Sequence, residues 1–233
     1  NQSVSRTVSD LAGNSATATV SNLNVDMVAP IVTITAPAND GIYYLNQSLV
    51  ANFSCTDPTP GSAIRTCAGP VANGATIPTN DVTLNLRTFK VDAADNAGNS
   101  SSVTHAYSVV YRFLLTPPKS PATLGSAVPL IWQLKDANHA IINDMSSLTS
   151  LISYGPVGNG ACGAGSRAVL YNPATGAAGK SDFRFISSTQ SYQFNWDTTF
   201  GTAAGRGCYT LVWELKDSPN PLANSRATTV VLK

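Results

Sequence analysis

Charge is scarce in this chain. Asp, Glu, Lys and Arg make up 12% of its 233 residues, and the balance is only +1. No basic cluster interrupts that neutrality, which excludes nucleic acid as a partner. Glutamate occurs once, at Glu214, so a hydrolytic carboxylate pair would have to be assembled from aspartates such as Asp182 and Asp197. Histidine occurs twice. His105 falls in a strand-like stretch and His139 in the polar turn Asp136-Ala-Asn-His-Ala140, and a lone histidine in either setting reads as a surface or capping residue. The Gly-x-Ser-x-Gly nucleophile elbow is missing, Gly163-Ala-Gly-Ser166 being no substitute. Neither Gly158-Asn-Gly160 nor Gly163-Ala-Gly165 opens a helix that might cradle a phosphate. A run of ~20 apolar residues is also lacking, which excludes a helical membrane span. With no initiator Met and no leader, Asn1 reads as a processed or trimmed end. Together these absences make an enzyme the weakest reading of the chain.

What is abundant is Ser, Thr, Asn, Ala, Gly and Pro, with 43% hydrophobic residues to build a core. Few surface-helix formers and many β- and turn-formers point to an all-β fold. The four cysteines have no Cys-x-x-Cys spacing and pair by position, Cys55 with Cys67 and Cys162 with Cys208. Disulfides in an oxidising compartment are the reading.

Two internal echoes organise the chain. Asp10-Leu-Ala-Gly-Asn14 recurs as Asp95-Asn-Ala-Gly-Asn99, each followed by alternating small and β-branched residues. The separation approaches the length of one immunoglobulin-like sandwich, ~100 residues. Later, Leu130-Ile-Trp-Gln-Leu-Lys-Asp136 is answered by Leu211-Val-Trp-Glu-Leu-Lys-Asp217. In both, Leu, Trp and Leu take alternate positions, and Tyr192, Phe194 and Trp196 share that period, so the three tryptophans are expected in a core.

The strand reading follows. Residues 3–9 and 15–25 form a hairpin around Asp10–Asn14, and a lone hairpin is marginal in water, so it must pack on something. Val25-Asp-Met-Val-Ala-Pro30 is a linker. Strands are expected at 31–35, 43–50, 50–55, 64–67, 82–86, 88–93 and 101–111, about seven in a small sandwich. Arg112 to Pro121 is a joint, and Tyr154 to Lys180, rich in Gly, Ala and Asn, reads as long loops. The expected organisation is tandem immunoglobulin-like β-sandwiches: 1–28 the closing hairpin of a preceding module or an exchanged strand segment, 29–111 one sandwich, 112–233 a second.

Asp26-Met-Val-Ala-Pro30, Phe53-Ser-Cys-Thr-Asp57, Cys67 and Asp95-Asn-Ala-Gly-Asn99 give residues 29–111 a resemblance to bacterial immunoglobulin-like repeats of secreted and surface proteins. Tyr111-Arg-Phe113, Gly125-Ser-Ala-Val-Pro129, Tyr192 to Trp196 and Cys208 with its strand make the remainder resemble the C-terminal domain named for a Pro-x-Lys-Phe strand, although Ile131 and Trp132 stand where Lys and Phe belong. The resemblance implies a secreted or cell-surface bacterial protein with a structural or adhesive role. Its partners would be neighbouring modules or like subunits met through the N-terminal strands.

Two further site readings stay open. Asp10, Asn14, Asp26, Asp57, Asp95 and Asn99, near module ends, are candidate calcium ligands; the favoured alternative is turn-making, with Gly13 and Gly98 supplying positive φ. No other cofactor is expected. Tyr43, Tyr44, Tyr154, Tyr171 and Phe200 are candidate rings for a glycan partner, as in a carbohydrate-binding accessory module of a secreted enzyme, against the plainer reading that they close the core.

Overall fold

The structure, a computed structural model, describes residues 2–23, 25–84, 86–157, 162, 165–199, 205–217 and 226–233. Its strands run β1 (Gln2–Ser9), β2 (Ser15–Leu23), β3 (Ile31–Ala36), β4 (Gly41–Tyr44), β5 (Asn52–Thr56), β6 (Ile64–Ala68), β7 (Arg87–Asp95), β8 (Ser100–Val110), β9 (Arg112–Thr116) and β10 (Ala127–Lys135). They continue with β11 (Ile141–Ile142), β12 (Leu148–Val157), β13 (Arg167–Asn172), β14 (Gly176–Ala177), β15 (Asp182–Ile186), β16 (Ser191–Asp197), β17 (Gly207–Leu215) and β18 (Ala227–Leu232). Among the described residues a 3-10 turn, Met145–Ser147, stands among the strands, and no helix is long and apolar enough to cross a membrane. The chain is all-β, as its composition requires.

By compactness it divides into two units, 1–38 with 50–75 and 89–105, and 39–49 with 76–88 and 106–233. The expected cuts after residues 28 and 111 follow the chain, whereas each compact unit draws strands from several stretches of it.

In the first unit, alternation does what period 2 demands. β3 buries Val32 and Ile34 and exposes Ile31, Thr33 and Thr35; it pairs antiparallel with β5, Ile34 opposite Phe53. β7 buries Phe89, Val91, Ala93 and Asp95 on one face and pairs with β6. Phe53 and Phe89 meet at 5.9 Å between centroids, and the Cys55–Cys67 disulfide ties β5 to β6. Residues 82–84, expected in a strand, form none. The Asp81 carboxylate instead accepts from the Thr83 amide and hydroxyl, folding the backbone into a local turn that competes with a ladder.

β1 and β2 form a ribbon paired only with itself and exposed along almost its whole length. Among the described residues both of its faces are open. Ser5 faces Thr19 and Thr7 faces Thr17, each hydroxyl pair at 2.8 Å. On the opposite face Val4 stands across from Val20, Arg6 from Ala18 and Val8 from Ala16. One side is therefore hydroxyl and the other predominantly apolar.

The second unit holds two five-stranded sheets. In one, β10 pairs antiparallel with β9, β11 and β16, and β16 with β15. The other has the order β14-β13-β12-β17-β18. Leu130, Trp132 and Leu134 of β10 and Leu211, Trp213 and Leu215 of β17 are buried, as their shared period predicts. Trp132, Trp196 and Trp213 are 0%, 1% and 2% exposed, so all three are core residues rather than a binding platform. Edge contacts of Trp132 with Trp213 and of Trp196 with Tyr209 join the sheets. The stretch expected as loops contains β13 and β14, because Val169 and Tyr171 are β-formers and, with Leu170 buried between them, extend β12's sheet. Cys162 is bonded to Cys208. β4 and the end of β8 also belong to this unit and run parallel, Gly41 opposite Tyr107.

Candidate functional site

Three aspartates from separate stretches of the first unit converge. Asp26 comes from the segment after the ribbon, Asp57 from the loop that follows β5, and Asp95 from the end of β7. One carboxylate oxygen of each lies within 4.8 Å of the others.

Each arrives by a local device. Asp95 makes a turn: its Oδ1 accepts from the amides of Gly98 (2.7 Å) and Asn99 (2.9 Å), while Oδ2 accepts from Asn99 Nδ2 at 2.8 Å. Gly98, at φ 99°, supplies the left-handed conformation the turn needs. Asp26 bonds the Val28 amide through Oδ1 (3.0 Å) and the Ser62 amide through Oδ2 (2.9 Å). The Val28 amide, followed by Ser62, holds its carboxyl below the usual carboxylate range. Asn99 Nδ2 also donates to the Asp26 carbonyl at 3.2 Å, tying linker to turn.

Asp57 is different. Both its carboxylate oxygens are buried and accept no hydrogen bond. The loop Asp57-Pro-Thr-Pro-Gly61 folds over them so closely that a Cβ on Gly61 would stand 2.5 Å from Asp57 Oδ2. Gly61 is there for close approach. Among the described residues no Lys or Arg forms an ion pair with any of the three carboxylates. Oxygen donors without imidazole or thiolate suit a hard divalent cation.

Beside the triad lies a cleft of about 480 Å³ between Gln2 and Leu23 at the base of the ribbon and Pro60, Gly61, Asn96 and Ala97.

Of the six candidate ligands, the structure thus gathers Asp26, Asp57 and Asp95, with Asn99 bonded to two of them. Asp10 and Asn14 stand apart in the exposed ribbon and make the same turn as Asp95 and Asn99. Asp10 Oδ1 accepts from Ala12 and Asn14 amides and Oδ2 from Asn14 Nδ2, each at 2.9 Å. The Asn14 side chain, then its backbone amide, lowers the Asp10 pKa. Turn-making is the role of that pair. Sequence reasoning missed Gly61, whose only signal was its place at the end of a Pro-Thr-Pro loop.

The four described candidate glycan-binding rings form no exposed row. Tyr43 is half-buried edge-on against Tyr107 at 5.9 Å, and Tyr44 is half-buried under the Arg112 guanidinium at 4.5 Å. Tyr154 is half-buried on β12. Tyr171, half-buried, meets Phe183 edge-on at 4.6 Å, and burial pushes its pKa up. Phe200 lies outside the described residues.

Of the groups weighed for catalysis, His105 Nδ1 lies 2.7 Å from the Pro37 carbonyl and His139 occupies a turn at φ 66°. Asp182 pairs with Arg184, and Asp197 bonds Thr199 and the Lys180 amide.

No protein-family model matches the chain, and no curated relative matches it. Solved structures resemble it distantly. The EC1-4 fragment of PcdhgB3 shares 10% identity over 99% of this chain and 64% of that one, with a TM-score of 0.25. FdeC, an Escherichia coli adhesin, shares 12% over 94% of this chain and 69% of its own, at 0.32. Extracellular cadherin domains 1-4 of Protocadherin Gamma B7 share 9% over 100% of this chain and 64% of theirs, at 0.23. The chain therefore spans slightly less than two thirds of the first and third of these structures.

Proposed function

We propose that this chain is a non-catalytic stretch of a tandem β-sandwich array in a secreted or cell-surface bacterial protein, with a structural or adhesive role. In this reading the ribbon of β1 and β2 closes the sheet of a neighbouring module. One observation carries it: the ribbon repeats the hairpin of β7 and β8 in its turn and in the alternation of its faces. The Asp10 and Asp95 turns close with the same backbone bond, Asp10 N to Asn14 O at 2.9 Å matching Asp95 N to Asn99 O at 3.1 Å, and in both the aspartate accepts from the amide and side chain of the asparagine four residues on. From that anchor Val4, Arg6 and Val8 correspond to Phe89, Val91 and Ala93, which are buried, and Ala16, Ala18 and Val20 to Ser101, Val103 and His105, which are half-buried. The apolar face of the ribbon is thus the face a module keeps inside. Edge and face alike are open to a partner of the same architecture.

The Pro-x-Lys-Phe-type resemblance, the low charge and the two disulfides favour the extracellular setting.

Sedimentation of the full chain against one lacking residues 1–23, which removes β1 and β2 and keeps Asp26, tests the ribbon. The full chain self-associates as its concentration rises, and the shortened chain stays monomeric with the same melting temperature. A shortened chain that unfolds, or a full chain that is monomeric at every concentration, overturns the assignment of the ribbon to a neighbouring module.

A further inference from the structure

Crowded carboxylates in a folded protein require a counter-charge. Asp95 is fully buried and Asp57 has both oxygens out of contact with solvent. A carboxylate offers about four acceptor positions, and leaving one buried without donors is among the costlier arrangements a fold can hold. No described side chain supplies the missing charge, and the amides that serve Asp26 and Asp95 do not reach Asp57. The balance must come from solution.

A single proton would satisfy one oxygen and leave the rest of the cluster uncompensated. A divalent cation answers all three groups at once. Oxygens no more than 4.8 Å apart can share the surface of a sphere of radius ~2.4 Å, the calcium–oxygen distance. Zinc would draw on imidazole or thiolate, neither of which is in the group. Magnesium, at about 2.0–2.1 Å, holds its water shell and near-ideal octahedral geometry too firmly for a buried carboxylate such as Asp57.

We propose that Asp26, Asp57 and Asp95 bind a calcium ion, with water and backbone carbonyls completing its shell. The ion draws together the segment that follows the ribbon, the loop 57–61 and the turn 95–99. It thereby fixes the direction in which the ribbon leaves the sandwich. The site is independent of whatever covers the ribbon's apolar face.

The test uses the full, disulfide-intact chain stripped with chelator and titrated with calcium chloride by calorimetry and thermal melting. The expected result is one saturable site with a dissociation constant on the order of 10⁻⁴–10⁻³ M, as in extracellular modules, and a melting temperature that rises by several degrees in excess calcium. Asp57→Asn separates an ion site from a merely structural aspartate. In chelator the variant melts at or above the wild-type temperature, because a repelling charge has gone. In calcium it melts below, and its affinity falls about tenfold or more. Asp26→Asn, at a half-exposed position, weakens calcium binding in the same direction. Overturning results are a wild-type chain with neither heat nor melting shift at about 10 mM calcium, an equal response to magnesium, or an Asp57→Asn variant destabilised to the same degree with and without calcium.

Discussion

Asp217 and Arg226 have both left water, with the side chains 0% and 2% exposed. They meet through two contacts, Nη1 to Oδ1 at 2.5 Å and Nη2 to Oδ2 at 2.7 Å. The Tyr111 amide donates to Asp217 Oδ2 at 2.7 Å, and Arg226 Nη2 donates to the Tyr111 carbonyl at 3.3 Å. A buried pair of this kind contributes little beyond an apolar substitute, but breaking it strands a charge. Asp217→Ala is therefore expected to cost about 3–5 kcal/mol in urea unfolding. Asp136 ends the matching segment of β10 and is also buried, yet it caps a turn, accepting from the Asn138 and Ala140 amides and from Asn46 Nδ2. Those donors can turn to water, so Asp136→Ala is expected to cost about 1–2 kcal/mol. Equal losses at the two positions would deny the charge its special role. The sequence showed that each Leu-x-Trp-x-Leu run ends in Lys-Asp. It did not show which aspartate meets an arginine, because Arg226 comes from the approach to another strand and no local period announces it. The carboxylate cluster was legible to the same extent. Turn chemistry marked Asp26, Asp57 and Asp95 as loop residues near module ends, while their convergence depends on how three separate stretches fold.

At the scale of elements, strands with alternating side chains were readable and those without were not. β3, β7, β10 and β17 each bury one face of a period-2 pattern. β13 was hidden in a Gly- and Ala-rich region because only two of its six residues, Val169 and Tyr171, are strong β-formers. Residues 82–84 were misread because a β-forming run is overridden by the Asp81 side chain. The two disulfides act on the elements they join in proportion to the loops they close. Cys55–Cys67 spans 12 residues and Cys162–Cys208 spans 46. Chain entropy of the unfolded state then assigns about 3 kcal/mol to the first and about 4 kcal/mol to the second. Replacing Cys162 and Cys208 together by Ala is expected to lower the urea midpoint more than replacing Cys55 and Cys67. The opposite order would place the stabilisation in native contacts around the first bridge rather than in restraint of the unfolded chain.

For the whole molecule, titratable groups frame a pH window. Asp10, Asp81, Asp136, Asp144 and Asp197 all have lowered pKa values; the leading causes are the Asn14 side chain, the Thr83 amide, the Asn46 side chain, the Ser146 side chain and the Thr199 side chain respectively. A carboxyl whose folded pKa is depressed contributes its stability above the unfolded value, about 3.9, and loses it as pH falls through the folded value. These five share that sign, so stability declines on the acid side from about pH 4 downward. Tyr111, Tyr171, Tyr192 and Tyr209 are shifted the other way, upward, each chiefly by burial. A phenol raised in the folded state keeps its contribution below the unfolded pKa of about 10 and loses it as pH climbs from there toward the folded value. Chemical unfolding in chelator across pH is therefore expected to show a broad plateau, with an acid limb set by turn-capping aspartates and an alkaline limb set by buried tyrosines. The limbs are separable by substitution. Tyr192→Phe removes the hydroxyl that donates to the Ile142 and Asp144 carbonyls, lowering the plateau while softening the alkaline limb. Asp197→Asn, at a turn on the other flank of β16, softens only the acid limb. An alkaline limb unchanged by Tyr192→Phe would mean that its protons are released elsewhere.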